Sequence, residues 1–219
     1  MRQNLITCSR NDFLEHINNA EYGAHYLLIH PELRTLRKIY SRYVKKQLEE
    51  ENEIVLIISY YETADSVRQI LSSSTSNLQN NNSIDVTKYE NEGSLIIMDS
   101  LKAYFGLDSD DDNDDDKNGN GRRPKKDIII TFLKQLIEKA ESSGKNGVSV
   151  FADIASFYHY NNSVDKLVEY ELSLPRKYHG MKMKGFCVYH KADFEKRLTE
   201  EQRQKLLTHH GKGLYLTED

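Results

Sequence analysis

The sequence predicts an α/β fold, a three-layer sandwich with a mainly parallel sheet. Three observations predict it. Short apolar runs recur at residues 26–29, 54–58, 93–99, 148–153 and 183–189. They are nearly continuous rather than alternating, as expected of strands covered on both faces. Longer segments with apolar residues at helical spacing separate them, and strands alternating with helices imply parallel pairing through right-handed crossovers.

Each element follows from its residues. Residues 10–19 predict a short helix with Phe13, Leu14 and Ile17 on one side, and residues 1–21 read as a helical extension. With about two dozen residues before the first strand, there is no room for a helix-turn-helix domain. From residue 22 to 219 the chain reads as one domain. Tyr26-Leu27-Leu28-Ile29 is the first strand. A helix with Leu33, Leu36, Tyr40, Tyr43, Val44 and Leu48 on its apolar stripe follows, and 54–58 is the second strand. This strand–helix–strand unit opens many nucleotide-binding folds. A phosphate loop at the first junction needs glycines, so that backbone N–H groups can wrap the phosphates, and a Lys-Ser/Thr pair. The junction reads His30-Pro31-Glu32-Leu33-Arg34 instead. It has neither, and Glu32 repels phosphate. The scaffold is that of a nucleotide enzyme, and the site is that of a protein that binds without hydrolysing.

The second strand ends at Ser59-Tyr60-Tyr61-Glu62, and a helix runs through Ala64, Val67, Ile70 and Leu71. Residues 72–83 are low-complexity and polar, a loop. The third strand, 93–99, stops on Asp99. A second irregular stretch spans 107–126. Asp127 is expected to cap an amphipathic helix carrying Ile129, Leu133, Leu136, Ile137 and Ala140. The fourth strand, 148–153, ends on Asp153, and Ser163 caps the helix after it. The fifth strand ends at His190. Thr199-Glu200-Glu201-Gln202 fits a capping box opening a last helix to about Leu207, and 213–216 forms a short edge strand.

Bulk properties narrow the function. A net charge of −4 and a pI of about 6.1 give no global pull toward nucleic acid or anionic membrane. The one basic cluster, Arg122-Arg123-Pro124-Lys125-Lys126, follows an acidic run that neutralises it. Mean hydropathy is −0.70, so the core must come from a few concentrated apolar segments. Two cysteines, Cys8 and Cys187, make no disulfide framework and imply a reducing compartment. The N-terminus lacks a signal peptide, and no run approaches the ~20 apolar residues of a bilayer span. A soluble cytoplasmic protein is expected, which leaves the sequons at Asn81 and Asn161 without a role.

In parallel sheets ligands bind beyond the carboxyl ends of the strands. Those ends carry His30; Tyr60, Tyr61 and Glu62; Asp99; Asp153 with Phe157 and His159; and His190. His25 precedes the first strand. These ten residues are the candidate ligand-binding set, weighed against the plainer fact that loop starts are polar anyway. Tyr60, Tyr61, Phe157, Tyr158 and Tyr160 offer aromatic walls with polar handles. For His25 the plain alternative is a hydrogen-bonded structural histidine, for Asp99 a turn or cap, and for Asp153 a cap or the relic of a Mg²⁺-associated acid. No metal is expected: CxxC, HxxxH and HExxH are absent, and the adjacent His209 and His210 should point apart. Asp114, Asp116 and Asn118, with Gly119, match the first half of a calcium loop. The twelfth position is Lys125 rather than Glu and Pro124 interrupts the next helix, so a solvated acidic loop is preferred. Neither GxSxG nor a Ser or Cys with a nearby base points to a hydrolase, and no catalytic residue is assigned.

The order and spacing of these marks resemble the MEDS domain, the sensory domain named after methanogens, methylotrophs and a dichloromethane-responsive regulator. The resemblance spans about 22–216. It rests on Gly23-Ala24-His25-Tyr26-Leu27-Leu28-Ile29, Glu53-Ile54-Val55-Leu56-Ile57-Ile58, Gly93-Ser94-Leu95-Ile96-Ile97-Met98-Asp99, the helix from Ile128, the strand ending at Asp153, Val168-Glu169-Tyr170-Glu171, and Gly185-Phe186-Cys187-Val188-Tyr189. This chain departs from the family in its two long polar loops and in Asp153, where the family often has Glu. The resemblance implies an archaeal or bacterial protein of RecA/KaiC-like fold, a degenerate P-loop NTPase type without a working phosphate loop. It implies a non-catalytic sensory or signal-transduction domain that binds a small molecule or protein partner at the strand ends and needs no cofactor. A protein signalling partner is expected, on the helix bearing Glu169-Tyr170-Glu171 or the one from Ile128. A homo-oligomer interface is another way to relay the signal. The alternatives are a degenerate nucleotide-binding protein, with Asp99 or Asp153 holding Mg²⁺, and a protein-interaction scaffold.

Overall fold

A computed structural model describes residues 5–73, 83–106, 126–160 and 162–217, with the side chains of 126–128 outside the description. The expected loop at 72–83, the acidic and basic segments, the calcium-like Asp114, Asp116 and Asn118, and both sequon asparagines lie wholly or mainly outside the described residues.

Seven strands form one sheet: β1 (Leu5–Cys8), β2 (His25–His30), β3 (Ile54–Ser59), β4 (Leu95–Asp99), β5 (Val148–Asp153), β6 (Met183–His190) and β7 (Lys212–Leu216). Their order is β1-β7-β2-β6-β5-β3-β4, and every pairing is parallel. Such a sheet must be buried on both faces, and helices cover both. One face carries α1 (Arg10–Asn18), α2 (Leu33–Glu49), α3 (Ala64–Ser72) and α4 (Val86–Asn91), packed through residues such as Phe13, Ile39, Tyr43, Val67 and Tyr89. The other carries α5 (Ser100–Phe105), α6 (Lys126–Ser142), α7 (Ser156–His159), α8 (Val164–Ser173), α9 (Lys191–Arg197) and α10 (Glu200–His209), packed through Phe105, Leu133, Phe157, Leu167, Phe194 and Leu206. This is the expected three-layer α/β sandwich. Each fully buried Leu, Ile or Phe contributes about 1.5–3 kcal/mol.

Local signals explain the boundaries. Ser9, Thr63, Ser163 and Thr199 each cap a helix by accepting a backbone N–H three residues on. Thr199 and Gln202 complete the capping box reciprocally. Asp99 accepts from the N–H of Leu101, 2.7 Å away, and caps α5.

Several expectations are corrected. Residues 212–216 are not an edge strand, because β1 pairs on their outer side. β1 itself was not legible: four residues hold too little pattern to separate a strand from a loop. α6 begins at Lys126, so Asp127 lies inside its first turn rather than at the cap. The short helices α4, α5, α7 and α9 went unread because fewer than two turns leave no helical period to detect. Of Glu169-Tyr170-Glu171, only Glu169 is exposed. Tyr170 and Glu171 face the core, so α8 cannot offer those three residues as one partner surface. No helix among the described residues is long and apolar enough to cross a membrane.

Candidate functional site

The layering fixes where a crevice can form. After β2 and β3 the chain crosses to the α1–α4 face. After β5 and β6 it crosses to the other face. β2 neighbours β6, and β3 neighbours β5. Helices therefore diverge from the sheet at two adjacent strand pairs, the topological switch points where ligands bind in open α/β sheets.

The residues at these ends converge. His30 and His190 sit opposite each other in the β2–β6 register, with ring centroids 5.2 Å apart in a T-shaped contact. His30 is buried, and its Nδ1 lacks a hydrogen-bond partner among the described residues. Burial, then the neighbouring His190, lowers its pKa to about 4, so the ring is neutral at physiological pH. His190 Nδ1 accepts from the N–H of Ala192 at 3.2 Å and caps α9.

From β3, Tyr61 places its hydroxyl between two groups. It donates to Asp193 Oδ2 and lies 3.1 Å from His159 Nε2. Tyr60 stacks on the His159 ring, with centroids 5.5 Å apart and planes 6° from parallel. Asp193 also accepts from Arg197 Nε at 2.8 Å. Burial pushes the Asp193 carboxyl up, but the hydrogen bonds from Tyr61 and Arg197 and the nearby His159 outweigh it and hold it below the usual carboxylate range. Burial, then the bond to Asp193, raises the Tyr61 phenol well above its ordinary value. Tyr61, His159, Asp193 and Arg197 form one polar cluster over the ends of β3, β5 and β6.

Asp153 ties the floor together. Its Oδ1 accepts from the N–H of Ala155 at 2.8 Å, and its Oδ2 from those of Tyr60 and Tyr61 at 3.3 and 3.5 Å. The carboxyl therefore bridges the ends of β5 and β3. Burial raises its pKa to about 6, against the lowering effect of the three backbone bonds. Glu62 is buried and accepts from Arg37 Nε at 2.7 Å and from the Tyr40 hydroxyl at 3.4 Å. A cavity of about 30 Å³ lies beneath, bounded by Leu36, Tyr40, Ser59, Glu62 and Asp153. One water fits such a volume.

His30, Tyr60, Tyr61, Glu62, Asp153, His159 and His190 thus gather at one end of the sheet. Asp99 ends β4 on the outer side of β3, where its side chain caps α5. Phe157 is a correction: it is fully buried against Tyr104, Phe105 and Tyr170, with ring centroids 5.0–5.3 Å away, and is core rather than wall. His25 is another. It starts β2, at the opposite end of that strand from His30, and its Nδ1 lies 2.9 Å from the Pro175 carbonyl. The hydrogen-bonded structural role suits it. Asp193 and Arg197 were missed. Their i, i+4 acid–base spacing just after His190 was the available signal, but a single such pair usually marks only a solvated helix face.

The match to known proteins agrees with this architecture. The family model for the methanogen/methylotroph, DcmR sensory domain matches residues 24–210, from the first residues before β2 to the entry of β7. No curated protein matches the chain. The matched span holds the described crevice residues and five of the seven strands of the sheet, β2 to β6, and the chain belongs to the MEDS family of sensory domains.

Proposed function

We propose that this chain is a non-catalytic signal-input domain whose ligand, a small molecule or a segment of a protein partner, binds at the crevice over β2, β6, β5 and β3. The observation that carries this is the Tyr61–His159–Asp193–Arg197 cluster beside the His30–His190 pair. Aromatic walls and a few convergent polar groups at a switch point are what a small-molecule site requires. Tyr61, Asp193 and the Arg197 Nε already bond to one another, while the buried His30 Nδ1 has no partner among the described residues. A ligand that takes over one of these bonds has a direct way to move α9, which carries both Asp193 and Arg197. Binding can shift the domain only by its differential affinity for the two arrangements. The readout then passes to another protein or another copy of this chain.

Membership of a sensory family supports the regulatory role. The absence of a glycine-rich turn at His30-Pro31-Glu32 speaks against nucleotide hydrolysis. The nucleotide-binding alternative would need Asp153 to hold Mg²⁺, and that carboxyl already serves three backbone donors.

The test is a thermal-shift screen of purified protein against small metabolites and against nucleotides with Mg²⁺. At 100 times its dissociation constant a ligand stabilises by about 2.7 kcal/mol. A metabolite hit that Tyr61→Phe and His159→Ala weaken supports the crevice. A Mg²⁺-dependent nucleotide hit abolished by Asp153→Asn replaces the proposal with the nucleotide-binding alternative.

A further inference from the structure

A second group of polar side chains lies away from the crevice, on the sheet face beneath α8 and α10. His25 from the start of β2, Cys187 from the middle of β6, Glu171 from α8 and His210 from the α10–β7 junction each direct one potential ligand atom inward. These four atoms all lie within 4.8 Å of one another. None of the four residues is more than 5% exposed. We propose that they form a binding site for a tetrahedral divalent cation of the zinc type. Its ligands are His25 Nε2, His210 Nε2, Cys187 Sγ and a Glu171 carboxylate oxygen.

The hydrogen bonds around the group favour a cation. His25 Nδ1 lies 2.9 Å from the Pro175 carbonyl, and His210 Nδ1 lies 2.8 Å from the Leu206 carbonyl. A carbonyl can only accept, so both rings carry their proton on Nδ1 and aim the Nε2 lone pair inward. Zinc-bound histidines are oriented in this way. Glu171 is oriented too: its Oε1 accepts from the Tyr189 hydroxyl at 3.1 Å. Its Oε2 faces His210 Nε2 at 3.4 Å, in poor alignment, and neither atom has a hydrogen-bond partner among the described residues. With His210 neutral these are two buried acceptors facing each other, which is costly. A cation between them removes that cost.

Charge and size agree. A dication bound by one thiolate and one carboxylate leaves the buried site neutral overall, and the Cys187 thiol proton leaves to solvent on binding. Zinc bonds of 2.0–2.3 Å place tetrahedral ligand atoms about 3.3–3.7 Å apart. His25 Nε2 and Cys187 Sγ are already 3.3 Å apart, and His210 and Glu171 3.4 Å. The longer separations need to close by about 1 Å. A surface cleft of about 400 Å³, bounded by Arg176, His179, Thr208 and His209, reaches His210 and provides a way in. Four protein ligands leave no open coordination position, which is the pattern of a structural centre. Such a centre would pin α8 and the start of β7 to β2 and β6. The ligands come from positions 25, 171, 187 and 210, so no short motif announces them.

Metal-free protein, prepared with a chelator, is titrated with Co²⁺ alone and then with Zn²⁺ alone. The expected result is a single equivalent of Co²⁺ giving the intense visible bands of tetrahedral cobalt with a thiolate-to-metal charge-transfer band. Zn²⁺ displaces it and raises the melting temperature by several degrees. Cys187→Ser removes the charge-transfer band, Cys8→Ser keeps it, and Glu171→Gln weakens affinity at least tenfold. The wild-type spectrum reads thiolate ligation without any substitution, so a variant that fails to fold leaves the test intact. The proposal is overturned if wild type gives no charge-transfer band or only the weak spectrum of octahedral cobalt. It is equally overturned if the zinc-dependent thermal shift survives unchanged in folded Cys187→Ser or Glu171→Gln.

Discussion

Asp153 offers the sharpest test of the crevice floor. Burial raises its carboxyl pKa in the folded protein to about 6, from an ordinary value of 3.8. The native state therefore holds the Asp153 proton more tightly than the unfolded chain. By linkage, stability falls as pH rises through the window between these two values and is level outside it. The gap of about two units corresponds to about 3 kcal/mol at 1.36 kcal/mol per unit. That figure is a ceiling, because the residue keeps partial solvent contact. Carboxyls held low, such as Glu51 beside Lys46 and Asp193 beside Tyr61 and Arg197, act with the opposite sign. The measurement must therefore be a difference. Urea midpoints of wild type and Asp153→Asn are compared at several pH values from 4 to 7.5. Wild type should gain on the variant as pH falls, by up to about 3 kcal/mol, or roughly 6–12 °C in melting temperature for a chain of this length. A flat difference curve, or one in which wild type gains as pH rises, refutes the account of a buried carboxyl held by backbone donors.

Three further outcomes are expected from the packing. Lys184 and Glu53 form a buried ion pair at 2.7 Å, supported by Tyr22 and Ser149 on the carboxylate and Gln47 on the ammonium; Lys184→Met strands the carboxylate and should cost about 3–5 kcal/mol in urea denaturation. Gly147 has no room for a side chain, since a Cβ would lie 2.5 Å from the Tyr22 ring and 2.6 Å from the Lys182 carbonyl; Gly147→Ala should lose about 1–3 kcal/mol by the same assay. Thr199→Ala breaks the capping box of α10 and should lower stability by about 1 kcal/mol, while Ser163→Ala should show a similar loss at α8.

The five longer strands were legible because each is a continuous apolar run, a pattern that only a sheet covered on both faces requires. The long helices were legible from their stripes and caps. Ser163 and Thr199 announced their helices directly. What the sequence could not carry was pairing order. The Leu5–Cys8 segment becomes a strand only because β7 presents a free edge to it, and nothing within four residues says so. The crevice was partly legible, since strand ends collect ligands in any parallel sheet. Phe157 misled because it stands four residues past a strand end, yet the turn of α7 rotates its ring into the core. His25 misled because it lies at the beginning of its strand rather than at its end.

The two polar clusters owe their different visibility to the same geometry. Crevice residues sit where each strand stops, so their positions follow from reading one strand at a time. His25, Glu171, Cys187 and His210 meet only because β2 and β6 are neighbours, Leu27 pairs with Cys187, and α8 and α10 pack on each other over that face. Each of the four alone reads as an ordinary residue: a histidine at a strand start, a glutamate in a helix, a core thiol, one of two adjacent histidines. The rings of His209 and His210 lie 5.8 Å apart and nearly perpendicular, and both pack near the His25 ring, at 5.9 and 4.3 Å. Both border the surface cleft, and His210 Nε2 faces Glu171 Oε2 at 3.4 Å. The expectation that adjacent histidines point apart bears only on the pair of them together. It did not forbid one of them from joining partners that lie 23, 39 and 185 positions away along the chain.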